Sequence, residues 1–455
     1  LNRSYLPSVC TELAGLLGQT SNRLVMTCRE VDYREQPQLA QLVAEHLIAR
    51  AVIWPLSSEQ MRSFIERYIE EQEPGKRWQH TAGQIMDVID HSRLRYHCTD
   101  PLMFFLFMKI IDGIGVERGK QIDTRGRLLR EFVGRLIRRE QSQVNGRHNG
   151  NGGNRETQVE QDLRLLLGEI AYVANSMDGG RRAAIKAFPA APHHSRPYGI
   201  NELDERVLSW LDEYRSQNTS DGNVVAPLAG ARWVDDRGYA ARLLQIAQPA
   251  PLIDISSDGV LSFRHELIAD YFVAEYLMAL DSQVQTHLTL LEGLLANIDL
   301  QDANVGVQWI APGAIWAGLV DEPLELAQRF VEQGVNNPAH LLEALALSLI
   351  CIGVSWTPPQ ASIQRQLVLP PRIEEALVAV VSDPATCRKL AAIFTRCAEE
   401  GGQEIYQAVV PLLRLNGIEE LFVLLNDTLV PQLLFNYLYD IVDDLGHEAE
   451  VKRLI

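Results

Sequence analysis

Cysteine pairs at metal-binding or redox spacing are absent from this chain. Its six cysteines, Cys10, Cys28, Cys98, Cys351, Cys387 and Cys397, are scattered, with no CxxC among them. That usage fits reduced thiols in a cytoplasmic protein better than a disulfide framework or a zinc site. Positive charge is also short: 42 Lys and Arg face 59 Asp and Glu, for a net charge of −17. Such a balance opposes bulk association with polyanions, so neither nucleic acid nor an anionic membrane surface is an expected partner. No apolar run approaches the ~20 residues that span a bilayer. The longest candidate, Leu102 to Ile111, is interrupted by Lys109. No secretory signal pattern follows Leu1. No Gly-x-x-x-x-Gly-Lys-[Ser/Thr] occurs, so no loop in this sequence cradles phosphates.

What is present is apolar periodicity. At 455 residues with 46% hydrophobic content, two to four domains are expected. The first segment alternates helix and strand. Leu6 to Leu17 has helical spacing, and Arg23-Leu24-Val25-Met26-Thr27 reads as a short buried strand whose polar end is Cys28-Arg29-Glu30. Open α/β sheets place their sites at such carboxyl ends. From Ser57 the period becomes helical, with Met61, Phe64, Ile65, Tyr68 and Ile69 on one face. Further helices are expected near Ile85 to Arg93, Pro101 to Ile111 and Gly126 to Arg139. Residues 141 to 158 are almost all Gly, Asn, Gln, Arg and Ser, a composition that reads as a disordered linker.

The next stretch reads helix, helix, helix, hairpin, helix. Its hairpin runs are Pro251 to Ile255 and Val260 to Phe263, around Asp258-Gly259. Beyond Asp281, Leu-, Ala- and Val-rich helical stretches alternate with breaks such as Asn336-Asn337-Pro338 and Pro370-Pro371. Paired apolar helices with such breaks point to an α-solenoid of HEAT or armadillo type.

Three stretches carry chemistry. Arg29 ends a core strand, where a permanently charged, forked guanidinium suits a terminal phosphate; pairing with Glu30 or Asp32 is the structural alternative. Pro101 opens an apolar helix after a capping Asp100, which is ordinary helix-start chemistry by itself. His265 stands where a strand gives way to a helix, beside backbone N–H groups that favour an anion; a histidine satisfied by its own backbone is the alternative.

In combination, these stretches resemble the NACHT-type STAND NTPases. Leu24-Val25-Met26-Thr27-Cys28-Arg29 is similar to that family's sensor-1 strand. Pro101 stands where the family's lid helix opens. Phe263-Arg264-His265 followed by Asp270-Tyr271-Phe272-Val273-Ala274 resembles the end of its winged helix, with Asp270 at a position where the family often has Glu. The resemblance covers residues 1 to about 280. It implies a mainly α chain made of a partial α/β nucleotide-binding remnant (1–56), a helical lid bundle (57–140), a linker (141–162), a winged helix (163–280) and a helical-repeat sensor region (281–455). It implies that Arg29 meets the terminal phosphate, Pro101 packs on the adenine and His265 contacts the β-phosphate of ADP.

The parent is expected to be a slow ATPase using ATP/ADP with Mg. It would sense a ligand or protein on the helical tail, form a homo-oligomer on activation and act in signalling or defence. Its phosphate loop and paired magnesium-binding acids would lie upstream of Leu1. The chain read as such a fragment has no catalytic residue of its own, binds ATP or ADP weakly and hydrolyses neither.

Other patterns are poorer. Gly113-x-Gly115 has no third spaced glycine, and His193-His194 lies in a Pro/Arg-rich loop without further ligands. No local pattern supports a Cys-His protease built on Cys28 or Cys98. The arginines of Arg125 to Arg139 are expected to form a solvated charged face. Two alternatives of other classes are a nucleotide-independent winged-helix and α-solenoid scaffold for protein partners, and a DNA-binding winged helix, which the acidic balance disfavours.

Overall fold

The computed structural model describes residues 55–71, 80–145 except 91, 93 and 96, 153–176, 202–219, 231–255, 261–283, 309–355 and 369–399, with a few single positions elsewhere. Two units separate by contacts, residues 1–56 and 57–455, and nearly all described residues belong to the second. The α/β segment expected over residues 1–56, Arg29 included, lies outside the described residues, as does the stretch after residue 412.

The described chain is mainly helical. Helix α1 (Ser58–Glu70) starts with a reciprocal cap: the Ser57 N–H donates to Gln60 Oε1 at 2.9 Å, and the Gln60 N–H donates to Ser57 Oγ at 3.2 Å. Two backbone donors that a helix start leaves unpaired are thereby satisfied. Thr81 and Gln84 repeat the device at the start of α2 (Ala82–Asp90). Helix α3 (Pro101–Ile114) starts at Asp100, whose carboxylate accepts from the Met103 N–H at 2.9 Å, and stops at Gly115, whose φ of 78° suits glycine alone. After the single turn α4 (Val116–Gly119) comes α5 (Arg125–Asn145), then α6 (Gly153–Ser176). Of the apolar face expected on α1, Met61 and Ile65 are buried, but Phe64 remains 42% exposed.

The linker is shorter than its composition suggests. Residues 141–145 continue α5 and 153–162 belong to α6, with Gln141, Glu160 and Asp162 buried. Tertiary partners supply what local propensity lacks there: Asp162 accepts from Gln158 Nε2 and from Tyr239 Oη, and Glu160 accepts from two arginines.

Helices α7 (Glu202–Thr219), α8 (Arg232–Asp235) and α9 (Arg237–Ala247) precede an antiparallel pair, β1 (Ile253–Ile255) and β2 (Leu261–Phe263), which leads into α10 (Glu266–Gln283). The register sets Ile253 opposite Phe263, Asp254 opposite Ser262 and Ile255 opposite Leu261. This pair is the only sheet among the described residues. Tyr271, Phe272, Val273, Ala274, Tyr276 and Leu277 are all buried, so α10 is enclosed on most sides. Gly168 lets α6 come close: a Cβ there would lie 2.9 Å from the Phe272 carbonyl oxygen and 2.9 Å from Tyr276 Cβ.

Five helices follow: α11 (Ile310–Leu319), α12 (Pro323–Asn336), α13 (Leu341–Ser355), α14 (Pro371–Val381) and α15 (Pro384–Glu399). Helix α11 is buried from Ile310 to Leu319 apart from Ala311, and Trp316 meets Phe330 of α12 edge to face at 5.9 Å. Gly334 brings α12 against α13, since a Cβ there would lie 2.6 Å from Ala344 Cβ. Among the described residues the longest apolar helical stretch is here rather than at Leu102 to Ile111. Pro338–Ser355 has a mean hydropathy of 1.7 and is long and apolar enough to cross a membrane by length and composition, and 67% of it is buried inside the fold. Among the described residues neither a nucleotide-binding α/β layer nor a solenoid is seen.

Candidate functional site

His265 lies at the junction of β2 and α10. Strand β2 is fixed by its ladder to β1, and the cross-strand pair Arg264 Nε to Asp254 Oδ2, 2.8 Å, braces its end. The first turn of α10 then opens against His265. Its carbonyl accepts from Ile268 N at 3.0 Å and Ala269 N at 3.2 Å, and its ring Nδ1 accepts from Leu267 N at 3.1 Å. The side chain is exposed. Two consequences follow. The Leu267 N–H, one of the donors expected to receive an anion, is already used by the histidine itself. With Nδ1 accepting, the neutral ring carries its proton on Nε2, and that N–H is the ring's remaining donor.

Pro101 is exposed at the first position of α3 behind the Asp100 cap. Nearby, Phe64 and Phe105 are 42% and 45% exposed, and Lys109 Nζ lies 5.3 Å from the Tyr68 ring centroid and 5.5 Å from that of Phe105. Pro101 and His265 therefore open separate helices, each at the surface. Arg29 lies outside the described residues. No group of His, Cys, Asp and Glu with metal-holding geometry occurs among the described residues. Cys98, Cys351 and Cys387 are free and buried, and burial pushes the Cys98 and Cys351 thiols far above their usual range. Buried thiols of this kind are poor nucleophiles, which disfavours Cys98 as a protease residue.

The sequence reading missed a set of arginine–carboxylate contacts, several of them made to buried carboxylates. The arginines of α5 form a solvated face only in part: Arg138 and Arg139 are exposed, while Arg127, Arg130 and Arg135 are half-buried. Arg125 is buried. Arg127 pairs with Asp123 and Asp321, Arg135 with Glu131, and Arg139 with Glu140. Arg130 reaches Glu275 of α10 with two bonds, 2.8 and 3.1 Å, and Arg138 reaches Glu160 of α6 at 3.2 Å. Burial works against the Arg130 charge, but the hydrogen bond and charge of Glu275 outweigh it and hold the guanidinium above its usual range. Within the following helices, Glu169 of α6 accepts from Arg215 Nε and Nη2, both at 2.7 Å, and from Trp233 Nε1 at 2.9 Å. The only sequence signal for these contacts was the count of arginines on α5. Their partners lie up to 194 residues away, which no local pattern encodes.

Comparison with models of protein families, with curated proteins and with solved structures finds no significant match to this chain.

Proposed function

We propose that the chain is the lid, winged-helix and sensor portion of a NACHT-type nucleotide-controlled switch. Its winged helix spans about residues 163–280 and its helical sensor array follows from residue 281. The observation that carries the reading is the Phe263-Arg264-His265 run, which leaves a short antiparallel strand and enters α10 with the His265 ring at the surface. The elements before it are three longer helices, α6, α7 and α9, with the single turn α8 between the last two, and then the strand pair, an order that supports a winged helix. In this reading His265 meets the β-phosphate of ADP through Nε2–H, because the α10 backbone donor beside it is already engaged. Pro101 packs on the adenine and Arg29 meets the terminal phosphate, and the reading requires a phosphate loop and magnesium acids that residues 1–455 do not contain. Nucleotide exchange opens the closed form, and the opened protein self-associates in the cytoplasm.

One neutral donor contributes modestly, on the order of 0.5–1.5 kcal/mol for a neutral bond and about 1.5–3 kcal/mol toward a charged phosphate. Replacing His265 with Leu in the chain extended upstream of Leu1 should therefore lower ADP retention about tenfold or more, a factor that corresponds to ~1.4 kcal/mol. ADP content after purification, read by chromatography, measures this. Unchanged occupancy removes His265 from the site.

A second reading is favoured by the same bond. Since His265 Nδ1 caps its own helix, the histidine is fully explained as a structural cap in a nucleotide-independent scaffold that binds a protein partner through the tail. That protein would carry no nucleotide with or without the substitution.

A further inference from the structure

We propose that α1 and α3 present a docking face for a short acidic, apolar segment of a partner protein. Among the described residues, the exposed large apolar side chains fall into two groups. Phe64 of α1 with Leu102 and Phe105 of α3 form one and include both aromatics, while Leu324, Val335 and Val378 are aliphatic and stand on α12 and α14. The first group is continuous. The Phe64 ring stacks on that of Tyr68 at 6.2 Å, Lys109 Nζ lies 5.3 and 5.5 Å from the Tyr68 and Phe105 ring centroids, and Leu102 is one turn from Phe105. Adjoining apolar side chains on two helices in contact mark an interaction site, where single ones scattered over a surface do not.

The face is also held from beneath. On α3, Leu102, Phe105, Lys109 and Asp112 recur every three or four residues and are exposed, whereas Phe104, Phe107 and Ile110 between them are buried. Phe104 meets the Phe64 ring edge to face at 5.4 Å. The exposed rings therefore stand on packed helices, and covering them costs little ordering entropy.

Charge decides what covers the face. Lys109 donates to the Tyr68 hydroxyl at 3.1 Å, and that hydroxyl donates to Asp112 at 3.4 Å. These contacts hold the ammonium at the edge of the rings, yet among the described residues no carboxylate lies at ion-pair distance from it. The complement is a carboxylate one or two turns from apolar side chains, as on a helix with Leu, Ile or Phe at i and i+3 or i+4 and an acid further along. Laid along α3, such a helix covers Phe64 and Phe105 while its acid reaches Lys109. A bilayer fits less well, since one lysine is a weak hold on an anionic surface and the net charge of −17 opposes approach. Nucleic acid would set phosphates on a face that is mostly hydrocarbon. The face needs neither nucleotide nor the helical tail, so it rests on neither functional reading above.

The test selects peptides of about twelve residues, roughly 18 Å long if helical, from a random phage-displayed library on the immobilised full chain. Peptides that bind the parent but not Phe105→Ser should carry Asp or Glu within two turns of Leu, Ile or Phe. In fluorescence anisotropy Lys109→Glu should weaken them about tenfold or more, and exchanging their acid for lysine should restore binding to that variant. Phe64→Ser repeats the readout at the second ring, and Leu324→Ser, exposed elsewhere, should change nothing. Thermal midpoints close to the parent's show that these surface variants are folded. The proposal is overturned when no peptide distinguishes the parent from both ring variants, when those that do are basic or uncharged, or when Lys109→Glu leaves their affinity unchanged. Two other results overturn it by naming a different occupant. One is parent self-association in sedimentation velocity that Phe105→Ser abolishes, and the other is Phe105-dependent binding to phosphatidylserine vesicles.

Discussion

Glu169 is where a single atom exchange has the most calculable effect. Its carboxylate is buried and accepts three N–H groups, from Arg215 Nε, Arg215 Nη2 and Trp233 Nε1. Glu169→Gln keeps the volume but replaces one acceptor oxygen with an NH2 group, which must then face at least one of those donors. The loss includes one charge-assisted bond of about 1.5–3 kcal/mol and a donor left without an acceptor. It also removes the main counter-charge of Arg215. Burial works against that cation, and the Glu169 bonds and charge outweigh burial. Asp212 at 3.1 Å remains as a second, more exposed partner, which moderates the cost.

The sum is on the order of 2–4 kcal/mol. Amide hydrogen exchange on α6 reads it directly, because opening of that helix is governed by the local free energy. At ~1.4 kcal/mol per tenfold, α6 amides should exchange roughly 30- to 700-fold faster in the variant. The test requires that the slowest α6 amides of the parent exchange through cooperative opening, which their denaturant dependence establishes. A change below about threefold, or ~0.6 kcal/mol, would refute the claim that Glu169 is the acceptor for all three donors.

Phe272 is fully buried, with Phe263 and Tyr271 ring centroids at 5.8 and 5.3 Å, so Phe272→Ala should destabilise the α6–α10 packing by ~3–5 kcal/mol in urea titration. A loss under about 1 kcal/mol would mean that the site collapses around the cavity or that the ring is not enclosed. Burial raises the Asp204 carboxyl above its usual value, against a smaller lowering by the Gln245 hydrogen bond. The folded state therefore holds the Asp204 proton more tightly than the unfolded state does. The stability this contributes is fully present below the unfolded value of ~3.9 and is lost as pH rises through the folded value. Asp204→Asn, which keeps an acceptor for Gln245 Nε2, should stabilise the protein at neutral pH, with the gain disappearing as pH falls below about 4. A gain that is equal at both pH values would show that the carboxyl does not titrate with folding.

Helix starts were legible in the sequence because they rest on local chemistry. Ser57 with Gln60 and Asp100 with Pro101 each act within one turn of their own chain, whereas the helix expected to end at Ile111 runs on to Ile114 before Gly115 stops it. The hairpin was legible for the same reason, although its strands proved shorter than the apolar runs at Pro251 to Ile255 and Val260 to Phe263. The extent of α5 and α6 was not. Gly, Asn and Gln at 141–145 and 153–158 argue against helix when taken alone, and they are outweighed by buried contacts from Asp162 and Glu160 to groups on other helices. His265 shows both limits together. Its place at a strand-to-helix junction was readable, but its exposed ring accepts from the Leu267 N–H, so the backbone donor there is taken.

By itself, then, the sequence determined an acidic, cysteine-scattered chain rich in apolar helices, with a hairpin among the described residues, because periodicity and capping are properties of neighbouring residues. Only the tertiary structure decided what the arginines do. Arg130 and Glu275 are 145 residues apart, and Arg215 and Glu169 are 46 apart. Whether a guanidinium faces water or a buried carboxylate depends on which helices pack together, and packing is settled by shape and burial across the whole fold.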